Sequence, residues 1–139
     1  VVALTYCSPM LMDTGGNAGS QSATLIIRGL ALEEISLADI FKVLWKELRV
    51  SIIVGVILAI INFARIIIMR QASATIAATV SVSMLITVIL AKVIGGSLPI
   101  LAKKLGLDPA IMAGPLITTI VDALALLAYF SIASWVLGL

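Results

Sequence analysis

The chain has 139 residues, of which 62% are hydrophobic and 12% are charged, and its mean hydropathy is +1.25. A soluble domain has roughly 45–50% apolar and about 25% charged residues, so the composition excludes that class and predicts an integral membrane protein. The net charge is only +2, with no basic stripe, which excludes nucleic acid as a partner.

The predicted fold class is all-α, a polytopic membrane helix bundle. The length suits about four spans of roughly 20 residues each, and the continuous apolar runs argue against the alternating pattern of a β-barrel. We predict a single transmembrane domain over residues 1–139, with four spans and one interfacial amphipathic helix. Because the chain starts at Val1 in hydrophobic sequence, without a methionine or a charged leader, we expect further sequence upstream.

The first predicted span, residues 1–31, is unusually polar. Its polar side chains recur at helical spacing and share one face: Asp13, Asn17, Gln21, Thr24 and Arg28. Gly15, Gly16 and Gly19 lie beside that face. Buried polar groups cost several kcal/mol unless they are paired or face water, so we expect this face to line a wet pathway. Close helix packing is an alternative role for the glycines, and both roles can coexist.

In residues 32–47, apolar residues recur at helical spacing with charged residues between them. This pattern predicts an amphipathic helix at the membrane interface, with Trp45 as an anchor. The second span follows over residues 48–69. Within it, we expect Asn62 to form a hydrogen bond between helices and Arg65 to reach the headgroups.

The third predicted span covers residues 74–102. Its first half is rich in small and hydroxyl residues, which permit close helix approach. Lys92 interrupts the apolar run, and Pro99 follows a glycine pair as a potential kink. The fourth span covers residues 109–136, with Asp108 as its predicted cap.

Positive charges cluster at the first and third connections, whereas only Arg65 and Arg70 mark the second. The positive-inside rule therefore predicts that the first and third connections are cytosolic.

Asp122 is the only charged residue of the fourth span. Counted from Pro109, it lies about 20 Å along a helix, near the middle of a hydrocarbon core of about 30 Å. A carboxylate at that depth costs at least about 2.5–3.5 kcal/mol and typically marks an ion pathway. Gly114 and Thr118 share its stripe of the helix. The alternative is a structural salt bridge with Lys92 or Arg28.

Two motifs resemble the MgtE family of magnesium channels. The run PMLMDTGGNAGSQSATLIIRGLAL is similar to that family's second transmembrane helix, and LGLDPAIMAGPLITTIVDALALLAYF is similar to its fifth. The order and spacing agree with the last four of the five family helices. The family's first helix and its cytosolic regulatory domains have no counterpart in these residues.

The resemblance implies a homodimer in the plasma membrane, with its pore at the subunit interface. Asp122 from both subunits would hold a hydrated Mg²⁺ as the transported ion, with Co²⁺ or other divalent cations as further candidates. Mg²⁺ gives up its waters reluctantly, so carboxylates around a hydrated ion suffice. The implied pore lining, besides Asp122, comprises Asp13, Gly15, Gly16, Asn17, Gly19, Gln21, Gly114 and Thr118.

Two positions depart from the family pattern. Gly114 stands where some members carry asparagine, so that side-chain role is absent. Asp13 occupies a position where others have glycine, which would add negative charge near the pore.

Three other functions stay open at this point. In a coupled secondary transporter, Asp122 would bind a proton or Na⁺. A non-conducting structural subunit would not need Asp122 for ion flux. An enzyme is the weakest of the three, because the chain lacks histidine and any recognisable nucleophile–base pair.

Overall fold

The computed structural model describes residues 2–138, so the predicted start of the first span at Val1 lies outside the described part. Four long helices form a bundle: α1 (Val2–Ala31), α2 (Ile40–Ile68), α3 (Ala74–Lys104) and α4 (Pro115–Leu137). Two short 3₁₀ helices, Leu37–Asp39 and Pro109–Met112, precede α2 and α4. The described residues contain no strand, and the predicted all-α membrane bundle is confirmed.

Three helices are long and apolar enough to cross a membrane, namely α2 with its preceding turn, α3 and α4. α1 has the length, at 30 residues, but it is not among the three. Its many polar residues lower its hydropathy. α1 packs along α3 and α4, and its assignment as a fourth span stays a prediction.

α3 is the central helix and packs against each of the other three. Contacts with α2 pair Asn62 with Ser81 and Glu47 with Lys92, so α2 and α3 are antiparallel. α1 runs parallel to α3, because Ser22 contacts Lys92 while the later Leu30 carbonyl accepts from Lys103 Nζ. The first and third connections therefore lie at the same end of the bundle.

The predicted interfacial helix is not a separate element. Residues 40–47 form the first two turns of the continuous helix α2, and Ser36 and Asp39 close the 3₁₀ turn in front of it. No helix breaker separates Glu47 from Leu48, so the helix continues into the apolar run. Trp45 is exposed, and the Arg49 guanidinium lies over its ring. The Asn62 prediction is confirmed by its hydrogen bond to Ser81 of α3.

The fourth span begins later than predicted, at Pro115 instead of Pro109. Asp108 does act as a cap, since its carboxylate accepts from Ala110 N at 2.9 Å, but it caps the 3₁₀ helix. The chain then turns at Gly114, whose φ of 60° and ψ of −123° suit a residue without Cβ. That turn separates the 3₁₀ helix from α4.

Candidate functional site

The predicted polar face of α1 points away from the core. Each of its five members is exposed in the single chain: Asp13, Asn17, Gln21, Thr24 and Arg28. Asn17, Gln21 and Thr24 line an open groove of about 590 Å³ together with Ser20 and Leu25. The polar face is therefore an outer surface of one chain and not the wall of a closed channel within it.

Asp122 lies against this helix at Gly16. A Cβ atom added to Gly16 would lie 3.4 Å from Asp122 Oδ1 and 3.4 Å from Thr118 Cγ2. The two motifs singled out in the sequence thus meet at the seam between α1 and α4. Because Gly16 has no side chain, no α1 side-chain atom of this residue lies between the helix backbone and the carboxylate.

The depth of Asp122 follows from its neighbours. It is the eighth residue of α4, about 10 Å from that helix's start at ~1.5 Å per residue, so the distance counted from Pro109 was an overestimate. Gly16, however, is at the midpoint of the 30-residue helix α1. Asp122 therefore lies level with the middle of α1, although α4 itself begins late.

The carboxylate of Asp122 is unpaired. Within residues 2–138 it makes no hydrogen bond and no ion pair, although its side chain is half-buried. The nearby charge that acts on it is the like charge of Asp13 on α1. Two carboxylates without basic partners attract cations. The same part of the chain contains no group of three or more His, Cys, Asp or Glu side chains that could hold a metal ion.

The three glycines of α1 face different neighbours. A Cβ on Gly15 would lie 2.8 Å from Thr87 Cγ2, and one on Gly19 would lie 3.0 Å from Val121 Cγ2 and 3.3 Å from the Ala91 carbonyl oxygen. These two glycines pack against α3 and α4, while Gly16 faces Asp122. Since α1 is helical through all three, their carbonyl oxygens lie within the helical hydrogen-bond ladder.

Thr118 and Gly114 occupy the first turn of α4. The Thr118 hydroxyl donates to the Pro115 carbonyl at 3.0 Å, and its methyl group faces Gly16. Gly114 is exposed at the N-terminus of α4, one turn from Thr118 and two turns from Asp122.

Lys92 does not pair with Asp122, as the salt-bridge alternative required. Its Nζ lies 3.7 Å from Glu47 Oε2 of α2 and donates to Ser22 Oγ of α1 at 3.2 Å. Arg28 forms no ion pair with Asp122 either, within the described residues. Glu47 thus neutralises the buried Lys92 on another side of α1, and Asp122 has no basic partner among the described residues.

Glu47 and Ser22 were missed by the sequence reasoning. Glu47 ends the range predicted for the interfacial helix and received no role of its own, yet it is only 4% exposed. The available signal was Lys92 itself, because a lysine inside a span requires a nearby acid.

The comparisons with known proteins agree with the motifs. A family profile described as "MgtE: Divalent cation transporter" matches residues 8–132. The chain belongs to the MgtE family.

Its similarity to individual MgtE proteins extends over almost the whole chain. It is 40% identical over 134 residues to the magnesium transporter MgtE of Bacillus subtilis, covering 96% of this chain and 30% of that protein. The magnesium transporter MgtE of Thermus thermophilus is 38% identical over 133 residues, covering 96% and 29%. That of Enterococcus faecalis is 30% identical over 125 residues, covering 90% and 27%. The chain therefore spans less than a third of the length of these MgtE relatives.

Proposed function

We propose that this chain forms the pore-bearing part of a channel for Mg²⁺ uptake, with Asp122 as the primary ion site. The observation that carries the proposal is the unpaired Asp122 carboxylate, level with the middle of α1 and facing the side-chain-free Gly16. Membership of the MgtE family supports a divalent cation as the cargo. The role is transport and not catalysis, in keeping with the transporters that the chain resembles.

The pore lies between two copies of the chain in this proposal. The polar groove of α1 is open on its outer side. Asp122 faces Gly16, the residue before the groove-lining Asn17, and has no basic partner within the described residues. A second copy facing this surface would enclose the groove and bring a second Asp122 to the axis. Two carboxylates with the amide oxygens of Asn17 and Gln21 suit a hydrated Mg²⁺.

The proposed setting is the plasma membrane, with the first and third connections in the cytosol. The shared end of the bundle carries the basic residues that flank these connections: Arg28, Lys42, Lys46, Arg49, Lys103 and Lys104. An excess of such residues is typical of cytosolic loops.

Reversal potentials of the full-length protein in proteoliposomes test channel function. We expect the potential to follow the Mg²⁺ gradient and to stay unchanged when pH or Na⁺ gradients are imposed. A potential that shifts with a proton or Na⁺ gradient, at a fixed Mg²⁺ gradient, would contradict the channel and favour coupled transport.

Gly16→Val is expected to lower Mg²⁺ flux about tenfold or more while leaving the assembled protein intact. A Cβ is accommodated at 3.4 Å from Asp122 Oδ1, but the two methyl groups of valine would cover the carboxylate and desolvate it. Ion flux and size-exclusion elution are the measurements. Ala64→Val, on the exposed side of α2, is the matched control. Equal Mg²⁺ flux in Gly16→Val and Ala64→Val would show that Gly16 serves only helix packing and does not keep the ion site accessible.

A further inference from the structure

A buried polar cluster joins three helices behind the polar face of α1. It consists of Ser22 on α1, Glu47 on α2 and Lys92 on α3, whose exposed fractions are 0%, 4% and 6%. The Ser22 hydroxyl donates to Glu47 Oε2 at 2.5 Å and accepts from Lys92 Nζ at 3.2 Å. Lys92 Nζ also lies 3.7 Å from Glu47 Oε2, so each member contacts the other two, and none of them lies on the exposed face of α1.

The cluster links α1 directly to α2. α1 packs mainly on α3 and α4, and the Ser22–Glu47 bond joins it to α2 through two buried side chains. A second polar contact between these helices, from Arg65 Nη2 to Met10 Sδ at 3.4 Å, lies twelve residues earlier in α1. Beside the cluster, a Cβ on Gly95 would collide with the Gly19 carbonyl oxygen, and a Cβ on Gly96 would lie 2.9 Å from Glu47 Cγ. Gly95 therefore lets α1 approach α3 closely, and Gly96 does the same for α2 on another side of α3.

A glycine–glycine crossing brings backbones close but has no side chain to fix the rotation of either helix. Hydrogen bonds of a buried charged pair are directional and, in a low dielectric, strong. Gly19 and Ser22 lie on the buried face of α1, whereas Asn17 and Gln21 lie on the exposed face nearly opposite. Because all four residues belong to one rigid helix, the contacts that hold Ser22 in place also set the direction in which Asn17 and Gln21 point.

We propose that the Ser22–Glu47–Lys92 cluster is a positioning device that sets the rotation of α1 and thereby turns Asn17 and Gln21 towards the ion path. The inference rests on the proposed pore function for its consequence, but the rotation can be measured without ion flux. Loss of the Ser22 hydroxyl frees α1 to rotate while the Glu47–Lys92 pair stays in place. The cluster itself touches no ion.

The test uses the full-length protein with Cys7→Ser and any other cysteine replaced, and one new cysteine on α1. Asn17→Cys reports the exposed face and Ala18→Cys the buried face. The probe is a charged, water-soluble methanethiosulfonate, and the readout is the ratio of the two modification rates. In the unaltered cluster the cysteine at position 17 should be modified faster than the one at position 18. We expect Ser22→Ala to lower this ratio of modification rates about tenfold.

Ser83→Ala is the matched control, because Ser83 is a buried serine whose hydroxyl bonds to the Thr79 carbonyl within its own helix. It should leave the ratio unchanged. The exchange of charges, Glu47→Lys with Lys92→Glu, should keep the wild-type ratio, since a serine hydroxyl can donate and accept in either order.

An unchanged ratio in Ser22→Ala would overturn the proposal, as would an equal change in Ser22→Ala and Ser83→Ala. The charge-exchanged variant tests whether the hydrogen bonds of the cluster, and not only its packing, set the rotation of α1. A modification ratio in this variant as low as in Ser22→Ala would also contradict the proposal. Failure of the proposed function has a different signature. It would appear as wild-type Mg²⁺ flux in Asp122→Asn, whatever the modification rates.

Discussion

Asp122→Asn is expected to lower Mg²⁺ flux at least about 100-fold at equal expression. The substitution keeps the size of the side chain and removes its charge. Two unit charges 4 Å apart attract by ~1 kcal/mol in water and ~4 kcal/mol near a protein surface, and a divalent ion doubles these values. Loss of a few kcal/mol from the central site corresponds to two or more factors of ten in rate.

The control for this prediction is Asp39→Asn. Asp39 lies in the 3₁₀ turn before α2 and is paired with Lys42 at 3.1 Å, far along the chain from the α1–α4 seam. We expect near wild-type flux from it. Mg²⁺ flux into proteoliposomes is measured with a Mg²⁺-sensitive dye. Asp122→Ala should lower the flux as Asp122→Asn does. Wild-type flux in both Asp122 variants would contradict the assignment of the ion site.

Gly95→Ala is expected to be the most damaging single-methyl change in the bundle. The added Cβ would collide with the backbone carbonyl of Gly19, and neither backbone can move without separating α1 from α3. Overpacking of this kind typically costs about 1–3 kcal/mol or more. We expect a loss of thermal stability in detergent together with reduced assembly.

Gly55→Ala provides the matched comparison. It makes the same chemical change in α2, but its Cβ would meet Leu85 Cδ1 at 2.7 Å, the tip of a flexible side chain that can change rotamer. Its melting temperature should stay near that of the wild type. Equal melting temperatures for the two variants would show that the Gly19–Gly95 crossing is not a close backbone contact.

The sequence was sufficient to predict the helical membrane class, because its composition excludes a soluble domain and its continuous apolar runs argue against a β-barrel. It also predicted the polar face of α1, since helical periodicity alone places Asn17 and Gln21 on one side. That Gly16 and Asp122 belong to one site was implied only by the family resemblance, because contacts between distant helices leave no periodic signal in one chain.

Two features could not be predicted, for identifiable reasons. The start of α4 at Pro115 depends on a single glycine turn, and Pro109 offered an equally good start signal. The pairing of Lys92 depends on which of the available acids its helix faces. Glu47 is the last residue of the range predicted for the interfacial helix, although its own position on α2 turns inward.

The central claim is that one pore forms between two chains and uses Asp122 from both. Two co-expressed full-length copies with different affinity tags, carrying Asp122→Asn in neither, one or both and purified as dimers through both tags, test it most directly through Mg²⁺ flux. A shared pore predicts that one altered copy already lowers flux about tenfold or more, because the ion meets a single weakened site. Half of the wild-type flux from the singly altered dimer would show that each chain conducts by itself and would contradict the account.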